Sequence, residues 1–502
     1  NKRKKKMAEE NTLSEFGLYG LAVMGQNFAL NIAEHGFTIS VCNRSPAKVD
    51  TCMARAAQEL GDDAGNMKGF KDKAEFVASL KKPRRIMFLV QAGPPVDETI
   101  KLFSEFLEEG DILIDGGNEW YQNSIRRAKE LEPKGIKYLA VGVSGGEEGA
   151  RKGPSLMPGG PRDAWDFIAP IFEKCAAQHT DGSPCTTYLG GAGAGNYVKM
   201  VHNGIEYGDM QLIGESYDIL KTVAGMSNDE LHETFTKWNE GKLDSFLIEI
   251  TSLIFAKKDV DVYDANGNLN PSDESRYLVD MILDCTGNKG TGKMTIKEGA
   301  EQGVACPTMA SALDSRFISY CKEDRMLMSK KLTGPGEVPQ VDRDQLLQDV
   351  EDALYASKIC SYAQGMNLIK QASKENGWNV NLGDCARIWR GGCIIRAKFL
   401  DLITQAYERD PDLPSLLIDP FFMDEINSRQ SSWRRVVALC VATGIACPSM
   451  SSSLAYFDAF RRERLSANLL QAQRDFFGSH TFERTDKPRG EMFHCKWTSS
   501  HA

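Results

Sequence analysis

Short apolar runs alternate with stretches of helical period over the first 190 residues. Residues 15–19 read as a strand and 26–34 as a helix, then 37–42 as a second strand. A helix over 46–59 follows, with Ser45 at the N-cap and Pro46 at the first position, where a missing N–H costs nothing. Residues 85–90 and 111–115 are further strands, each followed by helical periodicity, and 137–141 is another. Alternating β and α units at this spacing predict a doubly wound parallel sheet, an α/β Rossmann-like domain.

From Gly193 the strand signals fade and helical segments dominate, at 196–223, 239–254, 346–374 and 386–407, interrupted by a polar turn at 264–268. Residues 303–313 (GVACPTMASAL) match 444–454 (GIACPSMSSSL), 141 positions later. Trp238 and Trp389 begin similar helical stretches at a nearby offset. This predicts a large all-α domain with an internal duplication, two copies around one core. From Phe477 the chain is polar, contains Pro488 and Gly490, and loses helical period, yet it carries Phe482, Phe493 and Trp497. A purely solvated tail does not need those rings, so the C-terminal tail is expected to dock on another subunit. The expected division is 7–192, 193–462 and 463–502.

At 502 residues the chain exceeds one ordinary core, and 42% hydrophobic with 26% charged residues suits a soluble globular protein. A formal net charge of −9 argues against nucleic-acid binding, and an anionic substrate would need a local basic pocket. The 13 cysteines are scattered without a C-x-x-C pair, and the 7 histidines form no H-E-x-x-H. That argues against zinc and a disulfide framework and for a reducing compartment, taken as cytoplasmic. No apolar run reaches membrane-span length. The basic run Lys2 to Lys6 reads as a disordered or cloning-derived leader.

Gly20, Ala22 and Gly25 form G-x-A-x-x-G between the first strand and first helix, with Leu21, Val23 and Met24 between them. Small residues there let backbone amides and a helix N-terminus reach a pyrophosphate. The second strand ends Asn43-Arg44-Ser45, with no acid to bind a ribose 2′-hydroxyl. Arg44 and Ser45 suit a 2′-phosphate instead, so the cofactor is expected to be NADP rather than NAD.

Asp115-Gly-Gly-Asn118 and Gly142-Val-Ser144-Gly145-Gly146 lie at strand ends, where open α/β sheets bind ligands. In Lys199-Met-Val-His202-Asn203-Gly-Ile-Glu206-Tyr207, positions 199, 203 and 206 share a helix face with 202 at its edge. The alternative is a hydrated helix face. The chemistry favours function: a lysine of lowered pKa can take a hydroxyl proton as hydride leaves. A ketone β to a carboxylate then loses carbon dioxide, the protonated lysine steadies the enolate, and an acid such as Glu206 protonates carbon. No metal is required. Lys289, Thr291, Lys293, Arg316 and Arg474 are candidate phosphate ligands.

These motifs, with Leu470-Gln-Ala-Gln-Arg-Asp475, resemble the 6-phosphogluconate dehydrogenase family from about Leu13 to the tail. The resemblance implies oxidative decarboxylation of 6-phosphogluconate to ribulose 5-phosphate, with Lys199 as general base and Glu206 as acid. It implies coenzyme contacts at 20–25, 43–45 and Val90-Gln91-Ala92, and at Asn118. Asn118, Ser144, Gly145, Gly146, His202, Asn203 and Tyr207 would hold the sugar acid, and Lys289, Thr291 and Arg316 its phosphate end. Arg474 and His480 would come from the partner's tail, making a homodimer with a shared site. The chain departs from the family pattern at Gln91 (often Lys), Met294 (usually Trp) and Asn196 (often His). Two alternatives share parts of the pattern: a non-decarboxylating β-hydroxyacid dehydrogenase and a catalytically silent NADP-binding protein.

Overall fold

The computed structural model describes residues 13–287, 290–336 and 339–497, so the basic run at 2–6 lies outside the described residues. The chain divides into two compact units, one running to Ser452 and the other from Ser453.

The first unit opens with β1 (Phe16–Tyr19), α1 (Val23–Glu34), β2 (Ile39–Cys42), α2 (Pro46–Glu59), β3 (Met67–Phe70), α3 (Lys73–Ala78), β4 (Arg85–Phe88), α4 (Pro94–Ser104), β5 (Ile112–Asp115), α5 (Tyr121–Leu131), β6 (Lys137–Ser144), α6 (Gly146–Lys152), β7 (Ser155–Gly159) and α7 (Arg162–Cys175). The strands form one sheet in the order β3-β2-β1-β4-β5-β6-β7. Six are parallel, as the alternation predicts, and β7 adds an antiparallel edge on β6. The inner strands are apolar runs because both faces are covered. Phe16, Leu18 and Ile114 face one core with Phe28 and Phe172, and Tyr19, Phe88 and Leu113 the other with Phe76 and Phe103.

The helical part follows with α8 (Ala194–Thr222), α9 (Asn228–Asn239) and α10 (Phe246–Ala256). A two-stranded hairpin, β8 (Lys258–Asp259) with β9 (Asp273–Tyr277), encloses the polar turn, where Asp264 accepts from the Asn266 and Asn268 amides. Next come α11 (Leu278–Met281), α12 (Thr291–Glu301), α13 (Pro307–Tyr320), α14 (Lys322–Met328), α15 (Arg343–Asn376), α16 (Leu382–Ile388), α17 (Leu400–Arg409), α18 (Pro420–Thr443) and α19 (Pro448–Phe460).

Two expected helices are interrupted. The stretch at 239–254 breaks between Asn239 and Phe246, and that at 386–407 between Ile388 and Leu400. The two breaks satisfy each other: Phe246 N donates to Arg396 O (3.1 Å) and Lys398 N to Asp244 O (3.0 Å). Trp238 and Trp389 therefore stand at helix ends rather than helix starts. The duplication is visible as α8-α9-α10 repeated in α15-α16-α17. The matching undecapeptides lead into α13 and α19, and they meet at equivalent positions: Ser311 Oγ donates to Ser452 Oγ at 2.9 Å.

Helix α8 joins the sheet to the helices. A Cβ at Gly195 would lie 2.1 Å from Met157 O and 2.5 Å from Ala140 O, so only glycine lets its first turn cross β6 and β7 this closely. Farther along, Asp209 on α8 pairs with Lys358 on α15 at 2.8 Å, both buried. Losing one partner would strand a charge in the core.

In the second unit, α20 (Ala467–Gly478) precedes a tail without helix. The buried Asp475 carboxylate organises it, accepting from Thr481 N (2.9 Å), Cys495 N (3.1 Å) and Trp497 Nε1 (2.8 Å). Phe482 and Phe493 exchange backbone hydrogen bonds. The Phe482 ring meets the Trp497 ring at 6.4 Å and the Arg484 guanidinium lies over the Phe493 ring at 5.8 Å, so these rings have partners within the tail itself.

Candidate active site

Gly20 sits at φ +104°, and a Cβ at Gly25 would fall 1.8 Å from Gly20 O, so the turn after β1 tolerates no side chain at either position. Asn43 Oδ1 accepts from Leu21 N at 2.9 Å, tying this turn to the end of β2. Helix α1 starts from Ala22 with no side-chain cap and no acid in its first turn. Its leading N–H groups are therefore available to an anion. Arg44 and Ser45 are exposed at the end of β2; Ser45 occupies the N-cap of α2 without making a side-chain cap bond. Val90, Gln91 and Ala92 follow β4, and Asn118 is exposed beyond β5. All these residues lie at the carboxyl ends of neighbouring strands, around the point where the strand order reverses between β1 and β4. The donor set fits a dinucleotide carrying a 2′-phosphate: a backbone-lined pyrophosphate turn, a guanidinium, and no acid beside it.

The second half of the site is built on α8. Lys199 is 6% exposed and His202 fully buried, so this is not a hydrated helix face. Lys199 Nζ donates to Ser144 Oγ, at the end of β6, over 2.9 Å. Burial lowers the Lys199 pKa to about 8, with the Glu206 carboxylate opposing the shift. Burial and the neighbouring Lys199 charge drive His202 well below its usual value, so its ring is neutral. Asn203 Oδ1 lies 2.9 Å from His202 Nδ1, and Ser144 Oγ 3.4 Å from His202 Nε2. A proton on Nδ1 satisfies both contacts, leaving Nε2 to accept from the serine. Asn203 Nδ2 in turn donates to Thr291 Oγ1 at 3.0 Å. Glu206, one turn beyond His202, has a carboxylate oxygen 4.0 Å from His202 Nδ1.

The expected substrate residues divide by place. Ser144, Lys199, His202, Asn203, Glu206 and Thr291 come together as described. Gly145, at φ +111°, and Gly146 follow Ser144 directly. The Arg316 guanidinium lies over the Tyr207 ring at 3.6 Å and donates to Gly287 O, while Gly292 leaves the space that ring needs. Lys289 lies outside the described residues. Arg474 and His480 belong to the second unit, where both are exposed; Arg474 donates to Gln471 Oε1 and His480 meets the Phe477 ring edge-on.

The sequence marks several supporting residues without showing what they do. Gly142 leaves room for the Lys199 stem, since a Cβ there would be 2.4 Å from Lys199 Cβ. Trp389 packs edge-on to the His202 ring (5.7 Å), and Gly392 O accepts from Ser155 N at the start of β7. The Gly391-Gly392 pair inside an expected helix was the available signal for that break. Asn196, a departure from the family pattern, bridges α5 to the loop after β5: it accepts from Ser124 Oγ (2.7 Å) and donates to Gly117 O (3.2 Å). Among the described residues no group of three or more His, Cys, Asp or Glu could hold a metal ion, and all 13 cysteines are free.

A dinucleotide turn at the sheet's switch point, together with a buried lysine of lowered pKa and a carboxylate two turns along the same helix, defines a nicotinamide-dependent dehydrogenase of hydroxy acids. Comparison narrows the class. The NAD binding domain of 6-phosphogluconate dehydrogenase matches residues 15–190, and the C-terminal domain of that enzyme matches 195–497. The chain is 57% identical over 499 residues to the chloroplastic 6-phosphogluconate dehydrogenase, decarboxylating 1, of Arabidopsis thaliana, covering 98% of each. It is 52% identical over 489 residues to the decarboxylating enzyme of Synechocystis, covering 97% of this chain and 98% of that one. The 6-phosphogluconate dehydrogenase of Plasmodium falciparum, solved in its apo form, with NADP+ and with 6-phosphogluconate, superposes with a TM-score of 0.88 at 49% identity, covering 96% of this chain and all of that one. The chain belongs to the 6-phosphogluconate dehydrogenase family of decarboxylating oxidoreductases.

Proposed function

We propose that the protein oxidises 6-phosphogluconate with NADP+ and decarboxylates the product to ribulose 5-phosphate, with Lys199 as general base and Glu206 as general acid. The observation that carries this reading is the buried Lys199, whose lowered pKa leaves a usable fraction of neutral amine near neutral pH. The bound coenzyme supplies the hydride acceptor. Lys199 takes the proton of the hydroxyl β to the carboxylate as hydride leaves the same carbon. The resulting ketone withdraws the electron pair of the breaking carbon–carboxylate bond, and carbon dioxide departs. Lys199, now an ammonium, steadies the enolate oxygen; Glu206, protonated for this step, delivers its proton to carbon to complete the ketose, and the proton Lys199 took from the hydroxyl replaces it as the cycle closes. Ser144, Gly145, Gly146, His202, Asn203, Tyr207 and Asn118 hold the sugar acid. Thr291, Arg316 and Lys289 hold its phosphate end. Lys199→Met tests the base role: oxidation should fall by about 10²–10⁴-fold or more while NADP binding stays nearly intact. Loss of coenzyme affinity would contradict the assignment.

The same reading has three parts, 7–192 for coenzyme, 193–462 for substrate and dimerisation, and a 463–502 tail that reaches the partner of a homodimer with Arg474 and His480. Exposed apolar side chains support an interface on each unit: Ile282, Leu283, Ile318 and Leu332 in the first, Leu469, Leu470 and Phe477 in the second. Truncation before Arg474 should leave no activity, and an active truncated enzyme contradicts the shared site. No helix of the described residues is long and apolar enough to cross a membrane. We place the protein in the cytoplasm, since its free cysteines suit a reducing compartment; plastid accumulation of the full gene product on imaging would contradict this.

A further inference from the structure

Arg127, on α5, is a fully buried guanidinium that touches none of the residues assigned to catalysis. Its Nη1 donates to Glu119 at 2.6 Å, its Nε and Nη2 hold both oxygens of Asp97 at 2.9 and 2.8 Å, and its Nη2 also donates to Gly93 O at 2.9 Å. Glu119 is buried as well. Its Oε2 accepts from Gly93 N at 2.7 Å, and its Oε1 accepts from Trp120 N at 2.8 Å and Asn123 Nδ2 at 3.0 Å. Gly93 is thus gripped at both its amide and its carbonyl, in a positive-φ conformation (+91°) that ends the turn Val90-Gln91-Ala92. Glu119 directly follows Asn118, and Gly117 is tied to Asn196, one turn ahead of Lys199 on α8.

We propose that Glu119 and Arg127 are positioning residues for the coenzyme, fixing the Val90–Ala92 turn against the Asn118 loop. The inference rests on the reading above that this turn and Asn118 meet NADP. A buried, multiply hydrogen-bonded ion pair is a costly way merely to close a loop, because each charge must be matched within the core. What this pair gains is geometry: two backbone segments from different strand ends are set by one side-chain pair. The clamp holds the turn at its Gly93 end, so the coenzyme meets a preformed surface and does not pay to order it.

The test is Glu119→Gln in the full-length enzyme. Each carboxylate oxygen receives two donors, so an amide NH2 at either position faces hydrogens and one end of the clamp must open. NADP affinity, measured by titration without substrate, should weaken by about tenfold or more, while the KM for 6-phosphogluconate, which loses only the Asn118 contact among its several ligands, shifts by no more than about threefold. Arg127→Lys keeps the charge but loses the fork, and should show a smaller shift of the same kind; it decides the question if Glu119→Gln does not fold. A folded variant with unchanged NADP affinity, or with both constants shifted equally, overturns the proposal. Ala92→Trp separates this failure from failure of the underlying reading. If it weakens NADP binding and the clamp variants do not, the clamp alone falls. If it leaves NADP binding unchanged, the turn is not at the coenzyme, and the site reading falls with the clamp.

Discussion

Lys199 Nζ lies 2.9 Å from Ser144 Oγ, so the amine on the first long helix is held by the end of the last parallel strand. That contact exists because Gly195 and Gly142 remove the side chains that would keep helix and strand apart. The amine is therefore positioned by two glycines as much as by its own hydrogen bond.

Gly142→Ala should show this. Its Cβ would stand 2.4 Å from Lys199 Cβ and 2.9 Å from Cγ, so the lysine stem must move. A displacement of about 1 Å should lower kcat by about 10²-fold, with NADP affinity unchanged because the coenzyme turn lies elsewhere on the sheet. Stopped-flow NADPH formation and an NADP titration check both halves.

The rate of oxidation should rise with pH and level off above about 8, because the amine must be neutral to accept the proton and burial holds its pKa at about 8. At pH 7, one unit below, only about a tenth of the amine is neutral. The Glu206 carboxylate raises the lysine pKa, so Glu206→Gln should move the ascending limb to lower pH. Single-turnover NADPH formation against pH measures this without requiring the later proton delivery. A limb that moves to higher pH would contradict the electrostatic account.

Arg44→Glu should shift preference from NADP toward NAD, since an exposed acid at the end of β2 repels a 2′-phosphate and can accept from a 2′-hydroxyl. The ratio of kcat/KM for the two coenzymes reports it. An unchanged ratio would refute the 2′-phosphate role of Arg44.

Which parts of this architecture were legible in sequence follows from what each signal records. The helix at Pro46–Glu59 agrees residue for residue because proline fixes its first turn. The buried parallel strands stand out as apolar runs. The edges do not: β3 carries Lys68 and Gly69, and β7 carries Pro158, which an edge strand tolerates but which weakens its strand pattern. Helical period persists across Asn239–Phe246 and Ile388–Leu400, where the chain is broken by a long-range pairing that periodicity cannot register. Lys199, His202, Asn203 and Glu206 are readable because their contacts repeat at helix spacing. Gly142, Trp389 and Arg127 act across the fold, and their partners lie far away in sequence.

The most direct test of the central claim is the ratio of products. Purified protein with NADP+ and 6-phosphogluconate, followed by NADPH absorbance and by released carbon dioxide, should form the two in equal amounts. NADPH without carbon dioxide would contradict the decarboxylating mechanism and return the site to simple hydroxy-acid oxidation.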